Sequence, residues 1–269
     1  MISTLARAGL YLANEHYTGA ATRAAEDLLR RLGDGSRISH SFKDGKMGPP
    51  GFLEDYAFFI AGLLDLYEAT HQVKWFEKVI QLDRTLKEAF EDPGGGYRMT
   101  SDDHEGSLIA EKPVHDGATP SGNSVQLENL LRLAEFTAEE DYHQRAAKQM
   151  KFLGPTLAQE PLSATRAVSA LDFYLDHTKG VVIVTPDGKR SDAETLMSEF
   201  RRSYVPNRVL SVVQKGGDQE ETGKVIPLVS RKYPQKGKAT AYVCERGVCK
   251  LPTSDPKRFS EQIRKVKEL

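Results

Sequence analysis

Three stretches of this chain repeat one scheme. LARAGLYLANEHYTGAATRAAEDLL begins at Leu5, LLDLYEATHQVKWFEKVIQLDRTL at Leu63 and LLRLAEFTAEEDYHQRAAKQM at Leu130. Each passes from a Leu-rich helix through a short polar turn to an aromatic residue and an amphipathic helix. Starts spaced by roughly 55–70 residues mark an array of helical hairpins. The two helices of a pair differ in character. Phe52–Tyr67 (FLEDYAFFIAGLLDLY) is apolar nearly all round, as expected of a helix buried on both sides, whereas KWFEKVIQLDRTLKEAF has one apolar and one charged face and covers something.

Read in order, residues 1–177 are helix after helix. The first carries Leu5, Ala8 and Leu12. Tyr17–Leu32 is the second, closed by Gly33-Asp34-Gly35; Phe52–Thr70 is the third and Val73–Phe90 the fourth. Ser121–Thr137, Ala138–Phe152 and Pro161–His177 are the fifth to seventh. The connectors Gly33–Gly51 and Asp92–Pro120 are long, and long connectors are usually functional or carry strands of their own. Arg37–Phe42 and Gly94–Met99 read as such strands. After His177 the pattern changes. Val181–Val184 is a buried strand, Ala193–Arg202 a helix and Arg208–Val213 a second strand, which makes a β-α-β unit. Thr240–Val243 and Val248–Leu251 form a hairpin, and Asp255-Pro256 opens a last helix with Phe259, Ile263 and Val266 on its apolar face.

Charge follows this division. Residues 1–177 hold 18 Lys and Arg against 27 Asp and Glu, and residues 178–269 hold 19 against 11. The basic residues of the second part are scattered and no aromatic stacking motif accompanies them, so nucleic acid is not an expected partner. No run of about 18 apolar residues occurs, so no membrane span is expected. Two cysteines make no disulfide scaffold, and a reducing cytoplasm is the expected setting.

Several short motifs carry chemistry. Glu54-Asp55-Tyr56 opens the most apolar helix, where burial would raise a carboxyl pKa for acid–base work; acids also favour a helix N-terminus for electrostatic reasons alone. The neighbours His115 and Asp116 could act as a general base, or simply make a loop hydrogen bond, the commoner case. Ser121 is placed to cap the helix that follows it. No HxxxH or HxH occurs, so a structural metal is not expected. Cys244 and Cys249 flank a two-residue turn, Arg246-Gly247, that sets them opposite each other in a non-hydrogen-bonded pair, with Cα atoms about 4.5 Å apart. A redox role is open, but the reducing setting favours two reduced, half-buried thiols.

FLEDYAFFIAGLLDLYEAT, GGGYRMT, HDGATPSGNSVQLENLLRL and ATAYVCERGVCKLPT together resemble the spermatogenesis-associated protein 20 family, thioredoxin-domain-containing proteins of bacteria and eukaryotes. The resemblance covers essentially the whole chain. It implies an (α/α) toroid of the six-hairpin glycosidase type. The expected fold is therefore mainly α: a partial toroid over residues 1–177, then a small α/β unit over 178–269. In such a ring the inner-helix N-termini face one mouth. That would gather a binding site for a carbohydrate or other small molecule from Glu54, Tyr56, His115, Ser121, Asn123 and Gln126. Asp55 and Asp116 would serve as acid and base for hydrolysis or epimerisation, with no cofactor. An epimerase of this fold would use histidines from inner helices, and only His115 lies near the mouth, which disfavours that version. The alternative is a non-catalytic docking scaffold for a thioredoxin-like domain in a redox-linked role.

Members of the family begin with a thioredoxin-like domain and further helices, whereas this sequence begins at MISTLARAG. A closed ring needs twelve helices against the seven read here. The chain is thus expected to be the C-terminal part of a longer protein, and to require the missing N-terminal segment or self-association.

Overall fold

The structure is a computed structural model that describes residues 1–31, 36–101, 104 and 111–264. The chain divides into two units, residues 1–131 with 141–171, and residues 132–140 with 172–269. It is mainly helical with a small mixed sheet.

The first unit opens with α1 (Ile2–Leu12) and α2 (Glu15–Arg31), followed by a minimal hairpin of β1 (Phe42–Lys43) and β2 (Lys46–Met47). Next come α3 (Leu53–Thr70), α4 (Val73–Phe90), α5 (Gly122–Thr137), α6 (Glu140–Gln159) and α7 (Thr165–Leu175), of which α5 from Arg132, Glu140 of α6 and α7 from Asp172 are assigned to the second unit. The second helix starts two residues before the expected Tyr17; its expected end and the Gly33-Asp34-Gly35 stop lie outside the described residues. The seventh is interrupted, with a 3-10 turn over Pro161–Ser163 and the α-helix beginning only at Thr165.

The repeat seen in the sequence recurs in the backbone. α1, α3 and α5 each end on a single non-glycine residue in the left-handed region: Ala13 at φ 49°, His71 at φ 54° and Ala138 at φ 54°. Each donates its amide to a carbonyl four residues back, from Gly9, Tyr67 and Ala134 respectively. That one bond satisfies a carbonyl that the helix end would otherwise leave unpaired, and it reverses the chain into the next helix.

α3 is buried around its whole circumference, from Leu53 through Ile60, Leu63 and Leu64 to Tyr67. α4 buries only Trp75, Phe76, Val79, Leu82, Asp83, Leu86 and Phe90 along one stripe. At about 1.5–3 kcal/mol per large side chain removed from water, α3 is the main source of cohesion in this unit. α1 turns a different face inward from the one expected. Ile2, Ala6, Gly9 and Leu10 are buried while Leu12 is 66% exposed, because α1 lies against both α2 and α3, with Ile2 over Gly62.

The connector strands are shorter than expected. Around β1 and β2 the ladder reduces to two pairs and one Ser39–Pro50 bridge. Pro49 and Pro50 have no N–H to give, so they only accept or stand aside. Gly94–Met99 contains no strand, only a Glu91–Tyr97 bridge, because Gly95 and Gly96 at φ 98° and 80° fold the chain into a turn.

The second unit holds a four-stranded sheet ordered β4-β3-β5-β6. β3 (Lys179–Thr185) pairs in parallel with β4 (Arg208–Gln214) through a crossover containing α8 (Glu194–Arg202), the β-α-β unit that the alternation indicates. β5 (Thr240–Glu245) lies antiparallel to β3, and β6 (Val248–Cys249) antiparallel to β5. α9 (Gly217–Val225) has no counterpart in the sequence reading. GDQEETGKV has no apolar period, and only Gln219 and Thr222 are buried. α10 (Pro256–Arg264) starts where Asp255 accepts the Arg258 amide at 2.8 Å and buries Phe259 and Ile263; Val266 lies outside the described residues.

Glu135 also belongs to the second unit. Burial alone pushes its carboxyl up from 4.5 to about 7. Between those values the folded chain holds a proton that the unfolded chain has released. Stability is therefore greatest below pH 4.5 on this account and falls as pH rises through 7. Glu135→Gln should remove that slope. In urea unfolding it should leave stability unchanged at pH 4.5 and raise it by roughly 1–3 kcal/mol at pH 8.

Candidate functional site

The N-termini of α3 and α5 lie side by side in the first unit. A Cβ on Gly122 would stand 2.6 Å from Leu53 Cγ and 3.3 Å from Glu54 Cγ, so only glycine lets the first turn of α5 approach α3 this closely. The expected site residues collect around these two helix starts, and most of them hold backbone.

Ser121 caps α5. Its hydroxyl accepts the Ser124 amide at 3.1 Å and bonds the Ser124 hydroxyl at 2.9 Å. Asp116 uses both carboxylate oxygens as clamps: Oδ1 accepts the Ser121 amide at 2.8 Å and Oδ2 the Arg166 amide at 2.7 Å. One carboxylate thus ties together the first turns of α5 and α7, where unpaired amides and the helix dipoles both favour a negative charge. Asp116 would have to release both helices to reach a substrate. His115, beside it, is exposed and lies 3.6 Å from Glu160.

Asn123 is fully buried and fully bonded. Its Oδ1 accepts the Tyr97 amide at 2.7 Å and Gln149 Nε2 at 2.8 Å, and its Nδ2 donates to the carbonyls of Tyr97 and Pro113, each at 2.9 Å. Gln126 donates to Asp83 at 2.8 Å and accepts from Asn129, which also donates to the Ala57 carbonyl of α3. Tyr56 is buried, and its hydroxyl accepts the Ile38 amide at 3.0 Å.

Behind these residues runs an ionic core that the sequence reading missed. Arg145 of α6 is 5% exposed. It bonds Asp83 twice, at 2.6 and 3.1 Å, Glu91 at 3.0 Å and the Tyr97 hydroxyl at 3.0 Å. Burial is the largest single influence and opposes the charge on Arg145, but Asp83, Tyr97 and Glu91 together outweigh it and hold the guanidinium protonated. Burial likewise pushes the Tyr97 phenol far above its usual value.

Asp55 differs from these. It stands at the third position of α3 and its Oδ2 accepts the Phe52 amide at 2.8 Å, a helix-start bond of the capping-box type. The same oxygen meets His40 Nδ1 at 2.9 Å. His40 stacks edge-on against Phe52, whose other neighbour is His104 at 4.8 Å between ring centres. His104 accepts the Ser101 amide on Nδ1 and faces the Pro50 carbonyl with Nε2, so its ring latches the second connector to the first. Neither His40 nor His104 sits in a recognisable motif. His40 meets Asp55 from 15 residues away and His104 reaches Pro50 across 54, besides its local bond to Ser101.

Asp55 and His40 border a cavity of about 590 Å³ within the first unit. Its walls are mostly apolar, from Ile2, Leu28, Ile38, Phe58, Phe59 and Val125, with Ser39, Thr119 and Arg166 as further polar groups. Arg166 bonds Glu128 at 2.6 Å through Nη2, and its buried Nε has no hydrogen-bond partner. Among the described residues Asp55 Oδ1 also accepts no hydrogen bond. The cavity therefore combines apolar walls with one carboxylate oxygen, Asp55 Oδ1, that carries no hydrogen bond among the described residues, whereas the unpaired Arg166 Nε is shut off from solvent. Volumes of about 300–1,000 Å³ with few polar groups are typical of small-molecule sites.

In the second unit Cys244 and Cys249 are joined by a disulfide, with Cα atoms 3.8 Å apart. This corrects the expectation of two reduced, half-buried thiols. The Arg246-Gly247 turn sets the pair directly opposite, with both side chains on one face, close enough for the bond. Nor are the two alike: Cys244 is buried and Cys249 exposed. Among the described residues no group of three or more His, Cys, Asp or Glu is placed to hold a metal ion, and no helix is long and apolar enough to cross a membrane.

No family model matches the chain. It is 33% identical over 268 residues to spermatogenesis-associated protein 20 of Homo sapiens and 34% identical over 272 residues to that of Mus musculus, in each case across 95% of this chain. An uncharacterised Caenorhabditis elegans protein is 26% identical over 258 residues. The chain spans about a third of the length of each of these relatives. Along 95% of its length, then, it is homologous to a C-terminal part of the spermatogenesis-associated protein 20 family.

Proposed function

We propose that this chain supplies part of a binding site for a carbohydrate or similar polyhydroxylated small molecule, and that its helical hairpins are an arc of an (α/α) toroid of the six-hairpin glycosidase type. The observation that carries the ligand reading is the cavity beside α3, which the Asp55 carboxylate borders with one oxygen free of hydrogen bonds among the described residues, between apolar and aromatic walls. Sugar rings offer this combination: flat C–H faces for Phe58 and Phe59, and hydroxyls that both donate and accept. The toroid reading is supported by the repeated inner–outer hairpins and their common left-handed ends.

Binding is better supported than turnover. Asp55 retains an acceptor beside a histidine, but Asp116 is held on both oxygens by amides of two helices, so the acid–base pair lacks its second member. That favours a second reading, a non-catalytic ligand or docking module, over a hydrolase. Calorimetric titration with mono- and disaccharides tests the proposal. Asp55→Asn should weaken binding about tenfold or more, as expected for a hydrogen bond to a charged group. Saccharide hydrolysis that is abolished by Asp116→Asn in a variant of unchanged stability would overturn the non-catalytic reading.

A further inference from the structure

We propose that the Cys244–Cys249 disulfide is a thiol–disulfide exchange site for a dithiol partner, with Cys249 the sulfur under attack. This goes beyond the ligand cavity and does not depend on it; it gives the docking alternative a specific chemistry. Four observations carry it. First, the Lys250 amide donates to the Val243 carbonyl at 2.9 Å, so Cys244 and Cys249 form the next, non-hydrogen-bonded pair of the ladder, and their sulfurs share one face of the hairpin. Second, the two sulfurs differ in access: Cys244 is 4% exposed on β5, whereas Cys249 is open to solvent on β6.

Third, β6 is the edge of the sheet and only two residues long. Beyond it the register slips by one residue, from Val243 opposite Lys250 to Ala241 opposite Thr253, a bulge that carries Leu251. Val248 and Leu251, 75% and 74% exposed, flank Cys249 and give an approaching polypeptide apolar surface to cover. Fourth, the bond closes a loop of only four residues within a hairpin already held by its turn and ladder. Loop-closure stabilisation grows with loop length, so this bond contributes little to the fold. β5 is also held by β3 along its whole length, from Thr240 to Glu245, through a ladder in which the sulfurs take no part.

The exchange balances without a further reagent. A partner thiolate attacks Cys249 Sγ; the partner–Cys249 S–S bond forms as the Cys249–Cys244 bond breaks, and the electron pair leaves on Cys244 Sγ, which takes up a proton. The partner's second thiolate then attacks the partner sulfur of the mixed disulfide. Its own disulfide forms, and Cys249 leaves as a thiolate and is protonated. The dithiol loses two electrons and two protons, and the hairpin gains them as two thiols.

The test uses the native, full chain with two probes. Brief exposure to glutathione, acid quenching and peptide mapping by mass spectrometry should place the adduct on Cys249 in about tenfold excess over Cys244. Dithiothreitol should then release both thiols together while the far-ultraviolet circular dichroism stays unchanged. Three results would overturn the proposal: an adduct mainly on Cys244, a disulfide that resists dithiothreitol until denaturant is added, or loss of folded structure on reduction. Saccharide binding plays no part in any of these readouts, so the outcome is separate from that of the ligand-site reading.

Discussion

Arg145→Met destabilises the chain by about 3–5 kcal/mol, read as a lower midpoint in urea unfolding. The guanidinium is the common partner of Asp83, Glu91 and the Tyr97 hydroxyl. The Asp83 side chain is 3% exposed and that of Glu91 15%. Removing the cation leaves the buried Asp83 carboxylate with Gln126 as its remaining donor and Glu91 with Lys148, and losing one partner of a buried ion pair costs about that much. The intact pair itself contributes little net stability, because desolvating both partners offsets their attraction. Arg145→Met combined with Asp83→Leu should therefore recover a large part of the loss.

Asn123→Leu is the second large effect, expected at about 3–4 kcal/mol. The substitution fits the volume only roughly and withdraws four hydrogen bonds at once. The Tyr97 amide and carbonyl are left buried without Asn123, the half-buried Pro113 carbonyl loses its donor, and each group that water cannot reach costs about 1–3 kcal/mol. The loss is local as well as global. Amide hydrogen exchange at Tyr97 should accelerate well beyond what the change in overall stability accounts for, because the Tyr97 amide, just after Gly96, donates directly to the Asn123 side chain of α5. Were Asn123 a ligand-binding residue standing open to solvent, its replacement would change binding with little effect on stability or exchange.

The contrast between Asn123 and Asp55 shows what could be read before the structure and what could not. The helices were legible because apolar spacing is a local property, and the Ser121 cap because its partner, Ser124, is three residues away. The starts of α3 and α5, where the polar residues concentrate, do adjoin. Their roles were not legible. Asn123 bonds Tyr97 across 26 residues, Gln126 bonds Asp83 across 43, and Asp116 reaches Arg166 across 50. A buried amide that holds a distant backbone and an exposed amide that holds a sugar have the same local sequence. Arg145 was not legible for the same reason: on an amphipathic helix a charge reads as solvent-facing until Asp83 and Glu91 are placed opposite it. α9 was missed because polar contacts, with Gln219 donating to the carbonyls of Val229 and Lys232, do the work that an apolar stripe would have advertised. The disulfide was missed although its pairing geometry was read correctly, because the expected compartment was weighed above the register.

The central claim is that ligand binding belongs to the cavity beside Asp55 and His40, and that the polar residues at the start of α5 hold the fold together. It is tested most directly by following the aromatic and histidine ring resonances of the chain during titration with mono- and disaccharides. The account predicts saturable shifts at His40, Phe58 and Phe59 that are lost in Asp55→Asn, with Tyr97 unmoved. Saturable shifts centred on Tyr97 that persist in Asp55→Asn would contradict it.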